Sequence, residues 1–274
     1  MGKVFLVGAG PGDPELLTLR AARLLAQADV VLHDALVSPE ILRMIRPQAI
    51  VVDVGKRKGT KFHTQDGINE LLIAYARAHK TVVSLKGGDP SLFGRAGEEM
   101  EALDSSAVEF EIVPGITAAM AGAAAAKISL TDSRYAASVI FVTAQRQADG
   151  ARIPWRRHVA TGSTLAIYMP GADYSHLHAE LTGAGLQEST PCAIVSSATR
   201  YDQQVLWTDL RSLAHRNPLP APSIVIVGEC ARALGGVRDC VDAYNNLPHP
   251  ASAKTEIRVA PELGIEINRP HSSA

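Results

Sequence analysis

Apolar residues in the first half of the chain gather into short β-type runs separated by stretches of helical spacing. Runs rich in Val, Ile and Leu lie near 3–8, 29–33, 49–54, 81–86 and 108–113, and each predicts a strand. Between them Leu17, Ala21, Leu24, Leu25 and Ala28 share one helix face, as do Ile68, Leu71, Leu72 and Tyr75. Strands alternating with helices at this spacing predict a mostly parallel sheet covered by helices. Pro114-Gly115 breaks the fifth run, and the alanine-rich segment 118–126 beyond it has a helix former's composition.

The second half has another rhythm. Strands are predicted near 138–143, 163–168, 191–196, 203–208 and 222–228, with one clear helix around 175–184 ended by Gly183 and Gly185. Adjacent β runs with few helices predict a mixed sheet in an α+β domain. The expected organisation is an N-terminal α/β domain over 1–113 and a C-terminal α+β domain over 114–246. A flexible tail is expected over 247–274, where Pro248, Pro250, Pro261 and Pro270 accompany little periodicity. No internal repeat is visible.

Composition narrows the function classes. The 274 residues suffice for two domains, and 46% hydrophobic with 20% charged content is ordinary for a soluble globular protein. A net charge of −1 argues against general nucleic-acid binding, which needs a strongly basic face. No run approaches the ~20 apolar residues that span a bilayer. The start, MGKVFLVG, meets glycine too early for a secretory signal, so a cytoplasmic protein is expected. Cys192, Cys230 and Cys240 form no C-x-x-C pair and no closed disulfide set, which fits reduced thiols. His176 and His178 have no accompanying Cys or Asp cluster and read as surface histidines, so no metal site is expected.

The candidate chemistry sits at strand ends. After the first run comes Gly8-Ala9-Gly10-Pro11-Gly12-Asp13, where glycines let backbone amides approach a ligand. Alone, this is either a nucleotide-like site or a tight turn. It is not the dinucleotide fingerprint, because Asp13 stands at the third glycine position and Pro11 stiffens the loop. Three further segments follow strands: His33-Asp34-Ala35-Leu36, Gly55-Lys56-Arg57-Lys58-Gly59, and Lys86-Gly87-Gly88-Asp89-Pro90 with Phe93-Gly94-Arg95 beyond it. Each could be a plain turn or a solvated loop. Together they occupy one edge of one sheet, where open α/β folds bind ligands.

Taken in order, GAGPGDPELLT, HDALVSPE, VGKRKG, LKGGDPSLFGR and VPGITAA resemble the S-adenosylmethionine-dependent tetrapyrrole methylases, over residues 3 to 235. The branch acting on uroporphyrinogen III is the most similar. The resemblance implies two domains enclosing a cleft, within a homodimer, with the methyl donor S-adenosyl-L-methionine folded between them. By similarity, donor contacts come from Pro11, Gly87, Gly88, Asp89, Leu92, Thr117, Ala118, Met169 and Ala198. Asp34 is implied as proton acceptor, Lys56 as proton donor and Arg57 as a substrate-binding residue. The implied reaction methylates two pyrrole carbons of uroporphyrinogen III, giving precorrin-2 for sirohaem or cobalamin. A substrate with eight carboxylates calls for a cationic rim, expected from Lys56, Arg57, Lys58, Lys61, Lys86 and Arg95.

This chain departs from the family at three places. Its Ser129-Leu130-Thr131-Asp132-Ser133-Arg134 replaces the usual Pro-Leu-Thr-His-Arg, and Thr143-Ala144-Gln145 replaces Thr-Gly-His. Ala198 stands where glycine is common. Two alternatives therefore stay open: a methylase acting on another precorrin or modified tetrapyrrole, and a donor-binding protein without turnover.

Overall fold

The five apolar runs of the first half pair side by side, all parallel, in the order β3-β2-β4-β1-β5. They are β1 (Lys3–Gly8), β2 (Val30–His33), β3 (Ile50–Asp53), β4 (Thr81–Lys86) and β5 (Phe110–Val113). The computed structural model describes residues 2–55, 64–145, 153–159 and 162–232. The expected tail and the last part of the expected second domain lie outside them.

Both faces of this sheet are buried, which is why its strands read as continuous apolar runs rather than alternating ones. On one face Val4, Leu6, Val30, Leu32 and Val82 pack against α3 (Gln65–Ala78) and α4 (Ala96–Ser105). On the other, Val7, Val31, Val83 and Leu85 pack against α1 (Leu19–Leu25) and α2 (Pro39–Leu42). The helix starts are set by local chemistry. Thr18, Ser38 and Thr64 each accept a hydrogen bond from the backbone N–H three residues on, and Pro39 occupies the first turn of α2.

Helix α4 is absent from the sequence reading, and the reason is physical. Its inward positions are Ala96, Glu99 and Leu103, with Glu99 only 1% exposed. A buried carboxylate in the middle of the apolar stripe hides the helical period.

The second half forms a mixed sheet in the order β6-β7-β10-β8-β9, in which β6 and β7 are parallel and the remaining pairs antiparallel. The strands are β6 (Ser138–Thr143), β7 (Ser163–Tyr168), β8 (Pro191–Ser196), β9 (Gln204–Asp209) and β10 (Ser223–Val227). One face packs on α6 (Trp155–His158), α7 (Tyr174–Gly183) and α8 (Leu210–Leu213) through Trp155, Tyr174, Leu177, Leu181, Leu210 and Leu213. The other face receives α5 (Ala118–Ala125), whose Ala119 and Ala123 meet Ala166, Ala193, Val195 and Ile224. Small residues let this helix lie close to the sheet. A Cβ on Gly122 would stand 3.0 Å from the Ile224 side chain.

The strands lie within two residues of their predicted positions in both sheets. Two short helices, α6 and α8, accompany the expected α7. None of the described helices is long and apolar enough to cross a membrane.

Candidate functional site

The loops after β1 and β4 diverge, because α1 and α4 lie on opposite faces of the sheet although their preceding strands are neighbours. Open parallel sheets place ligands at such a point. Here the two loops are joined before they part. Ala9 N–H donates to Lys86 O at 2.7 Å, and Gly10 and Gly88 exchange hydrogen bonds at 3.0 and 2.8 Å. Gly88 has φ +70, and a Cβ there would fill the space next to Thr117 Cα (3.8 Å) and Ala118 N (3.9 Å). Only glycine gives both the backbone turn and the free space.

Asp89 holds this junction together. Its Oδ1 accepts from Ser91 N–H at 2.9 Å and its Oδ2 from Gly115 N–H at 2.9 Å, while the Ser91 hydroxyl also donates to Oδ1. The family resemblance implies Asp89 as a contact to the methyl donor. In this structure both of its oxygens already serve the loops that follow β4 and β5. Leu92, half-buried, follows in the same turn, with Leu92 N–H donating to Asp89 O at 3.3 Å.

Asp34 stands at the end of β2, half-buried. Three backbone amides converge on its carboxylate: Leu36 (2.8 Å) and Val37 (3.2 Å) on Oδ1, and Gly87 (2.9 Å) on Oδ2. A side chain at Gly87 would strike Leu36 Cβ at 2.7 Å, so the approach depends on glycine. Gly55, at the start of the loop after β3, abuts Ala35 in the same way. Lys56, Arg57, Lys58 and Lys61 lie outside the described residues.

The second sheet supplies the opposite wall. β7 and β8 flank β10, with Tyr168 opposite Ile224 and Ser196 opposite Ser223. Met169 and Ala198, which follow these strand ends, therefore lie at one end of that sheet. Met169 is 39% exposed. Sequence reasoning missed Tyr168, whose ring lies 4.9 Å from Phe93 of the first half, centroid to centroid. Its hydroxyl accepts from Ala119 N–H at 3.1 Å and bonds Thr117 Oγ1 at 2.5 Å. It thus caps α5, a task that the Thr117 side chain leaves undone. Burial pushes the Tyr168 hydroxyl above the usual phenol value. The available signal was an aromatic at the last position of a strand, directly before a candidate residue.

Asp34, Gly87, Asp89 and Thr117 are thus tied into the loops at the seam where the two sheets meet; Met169 and Ala198 directly adjoin Tyr168 and Thr199, which bond across to or next to those loops. Hydrogen bonds there join Asp34 to Gly87, Asp89 to Gly115, Thr117 to Tyr168, and Asp13 N–H to Thr199 Oγ1 at 3.2 Å.

Two expected rim cations are committed elsewhere. Lys86 Nζ lies 2.6 Å from Glu99 Oε1, with only 11% of its side chain exposed, so it is not a free charge at the cleft mouth. Arg95 makes a two-pronged pair with Glu98, at 2.7 and 2.6 Å. The sequence reading missed both because the partners come from α4. Arg134 grips Asp132 through Nε (3.0 Å) and Nη2 (2.8 Å), which holds the Asp132 carboxyl down at about 2. The unusual carboxylate of the 129–134 segment is neutralised by its own neighbour.

Comparison with known proteins identifies the family. Residues 3–214 match the family described as Tetrapyrrole (Corrin/Porphyrin) Methylases. A siroheme synthase from Hahella chejuensis is 46% identical over 231 residues, covering 83% of this chain and 49% of that protein. A siroheme synthase from Pseudomonas entomophila is 47% identical over 234 residues, 84% of this chain and 50% of that protein. The chain spans about half the length of these curated relatives, 49% and 50%. Among solved structures, uroporphyrin-III C-methyl transferase from Thermus thermophilus, complexed with S-adenyl homocysteine, is 36% identical with a TM-score of 0.74. That match covers 84% of this chain and 98% of the other. A cobalt precorrin-4 methyltransferase is 29% identical with a TM-score of 0.75, over 84% of this chain and 95% of its own.

Proposed function

Because the chain belongs to the tetrapyrrole (corrin/porphyrin) methylase family, we propose that it methylates two pyrrole carbons of uroporphyrinogen III, using S-adenosyl-L-methionine and giving precorrin-2 for sirohaem or cobalamin. One backbone segment carries most of the support. Gly87 N–H bonds Asp34, and the adjacent Gly88 is bridged to Gly10 of the glycine loop. A donor seated on Gly88 would therefore be in register with the carboxylate.

The residues of the seam fit such a donor. Backbone groups of Pro11, Gly87 and Gly88 offer hydrogen bonds without side-chain obstruction, Leu92 and Met169 offer apolar walls, and Thr117, Ala118 and Ala198 close the space from the second half. Asp89 serves this site by fixing the loops. When bound, the sulfonium donor supplies an already activated methyl group, so what the protein adds is alignment and proton management. Asp34 accepts the proton that the methylated ring must lose, Lys56 donates one, and Arg57 binds substrate carboxylates. The lobes divide near Pro114, 1–113 from 114–246. A homodimer and a cytoplasmic location belong to the same reading, on the strength of the family resemblance and the thiol usage.

Anaerobic incubation with uroporphyrinogen III and S-adenosyl-L-methionine tests it. The expected product carries two added methyl groups by mass; none would reject the reading. A second reading, methylation of a later precorrin, is favoured by the altered 129–134 and 143–145 segments and by the likeness to cobalt precorrin-4 methyltransferase. Methylation of a precorrin but not of uroporphyrinogen III would select it.

A further inference from the structure

Arg200 lies in the turn between β8 and β9, and among the described residues its side-chain hydrogen bonds all go to the other half of the molecule. It crosses the seam. Nε donates to Pro11 O at 3.3 Å and Nη2 donates to Leu36 O. Its aliphatic stem fills the place that a side chain on Gly12 would take, since a Cβ there would stand 2.7 Å from Arg200 Cγ. Gly12 has φ +148, so glycine is required twice over.

The turn that aims Arg200 is strained and braced. Ser197 (φ 49) and Thr199 (φ 65) are both left-handed without being glycine. Such residues persist only where the surroundings over-determine them, and they cluster at functional sites. The bracing is visible: Thr199 N–H donates to Gln203 Oε1 at 2.7 Å, Ser197 Oγ to Asp202 Oδ2 at 3.0 Å, and Ser197 N–H to Pro222 O at 2.8 Å. Gln203 is itself buried.

The target is a single peptide plane. The carbonyl that receives Nη2 belongs to Leu36, and the N–H of that same peptide group, on Val37, donates to Asp34 Oδ1 at 3.2 Å. Arg200 therefore grips one end of a peptide whose other end grips the carboxylate. With the second guanidinium nitrogen on Pro11 O, the fork also fixes how far the glycine loop stands from Asp34. A planar fork can hold two carbonyls at once, whereas an ammonium is one compact charge on a flexible stem.

We propose that Arg200 is a positioning residue for Asp34, acting across the seam through the Leu36–Val37 peptide and locking it in register with the glycine loop. This rests on the methyl-transfer reading, in which Asp34 accepts a proton.

The test uses the full chain with Arg200→Met, which keeps the stem on Gly12 but removes the donors, and Arg200→Lys, which keeps one charge. Turnover at saturating substrates, KM for the tetrapyrrole, and the dissociation constant of S-adenosylhomocysteine are measured for each. Arg200→Met is expected to lower kcat between about tenfold and a hundredfold, the cost of misplacing a reacting group. KM should change far less, and Arg200→Lys should recover only part of the loss. Hydrogen–deuterium exchange at the Leu36 and Val37 amides should quicken in Arg200→Met while β3 keeps its protection. An unchanged kcat, or a loss confined to S-adenosylhomocysteine affinity, would overturn the proposal; so would unaltered exchange at those amides. A wild-type protein that methylates no tetrapyrrole would instead reject the reading beneath it, and the exchange measurement would still judge the latch.

Discussion

Asp34 Oδ2 lies 2.9 Å from the backbone nitrogen of Gly87, so a carboxylate at the end of β2 is tied to the loop leaving β4. In the proposed reaction, this bond joins the base to the backbone that seats the methyl donor. Among the described residues, the three groups that bond this carboxylate are all N–H donors. An Asn side chain would therefore have to turn its own amide hydrogens toward one of them.

Asp34→Ala is expected to slow methyl transfer by about a hundredfold to ten-thousandfold, the usual contribution of a general base. Binding of S-adenosylhomocysteine, measured by calorimetry, should survive, because the Gly10–Gly88 bridge does not involve Asp34. Undiminished turnover would remove Asp34 from the mechanism. Asp34→Asn should be nearly as slow and slightly less stable than wild type.

The buried pair beneath the site invites a stability experiment. Glu99 receives Lys86 at 2.6 Å, Ser84 Oγ at 3.1 Å and Gln65 Nε2 at 3.3 Å. Glu99→Ala strands the Lys86 charge and should cost roughly 3–5 kcal/mol in urea unfolding, as breaking a buried pair does. Replacing both partners, Lys86→Met with Glu99→Leu, should recover most of that loss. A single variant as stable as wild type would contradict the buried placement.

Two glycines should respond oppositely to alanine. Gly115 stands against Gly8, and a Cβ there would lie 2.8 Å from Gly8 Cα, backbone on backbone. Gly115→Ala should destabilise by about 1–3 kcal/mol, as overpacking does, and should weaken S-adenosylhomocysteine binding by parting the loops. Gly97, in α4, has nothing within 4 Å of its would-be Cβ. Gly97→Ala should stabilise by about 0.5–1 kcal/mol through helix propensity. Thermal unfolding of the two variants compares them directly.

Acid should weaken the fold through a definable set of carboxylates. Asp29 is held below the usual carboxylate value first by the Thr81 N–H, and also by Arg46 and the Lys80 N–H. Asp209 is lowered first by the Ser212 N–H, Asp173 by the Ser175 hydroxyl, and Asp132 by the Arg134 guanidinium, to about 2. Each titrates lower in the folded protein than in the unfolded chain. Each therefore adds stability above the ordinary value of 3.8, which is lost as pH falls through its folded value. The melting temperature should fall as pH drops from about 4 toward 2, and Asp29→Asn should flatten that decline. An equally steep decline in the variant would show that Asp29 does not contribute.

Much of the fold was legible because its strands are buried on both faces. Apolar runs such as Val82-Val83 and Val30-Val31-Leu32 need no knowledge of their partners to be read as strands. Helix α4 was not legible, because Glu99 occupies the position that would have completed its stripe. Asp34, Gly87 and Gly88 could be picked out as residue types at strand ends, and Thr117 by the family resemblance. The roles of Tyr168 and Arg200 could not be read, since they depend on what lies opposite, although an aromatic ending β7 marks the place of Tyr168.

The order of residues along the chain was enough to set the two sheets, the strand-end loops and the family, because burial patterns and glycine turns are local properties. Folding alone decided that Lys86 and Arg95 are spent on α4, that Asp89 braces loops, and that Arg200 reaches Leu36 from the other half. Those outcomes depend on pairings between residues remote in sequence, such as Arg200 with Pro11, whose distance apart is set only when the two sheets pack.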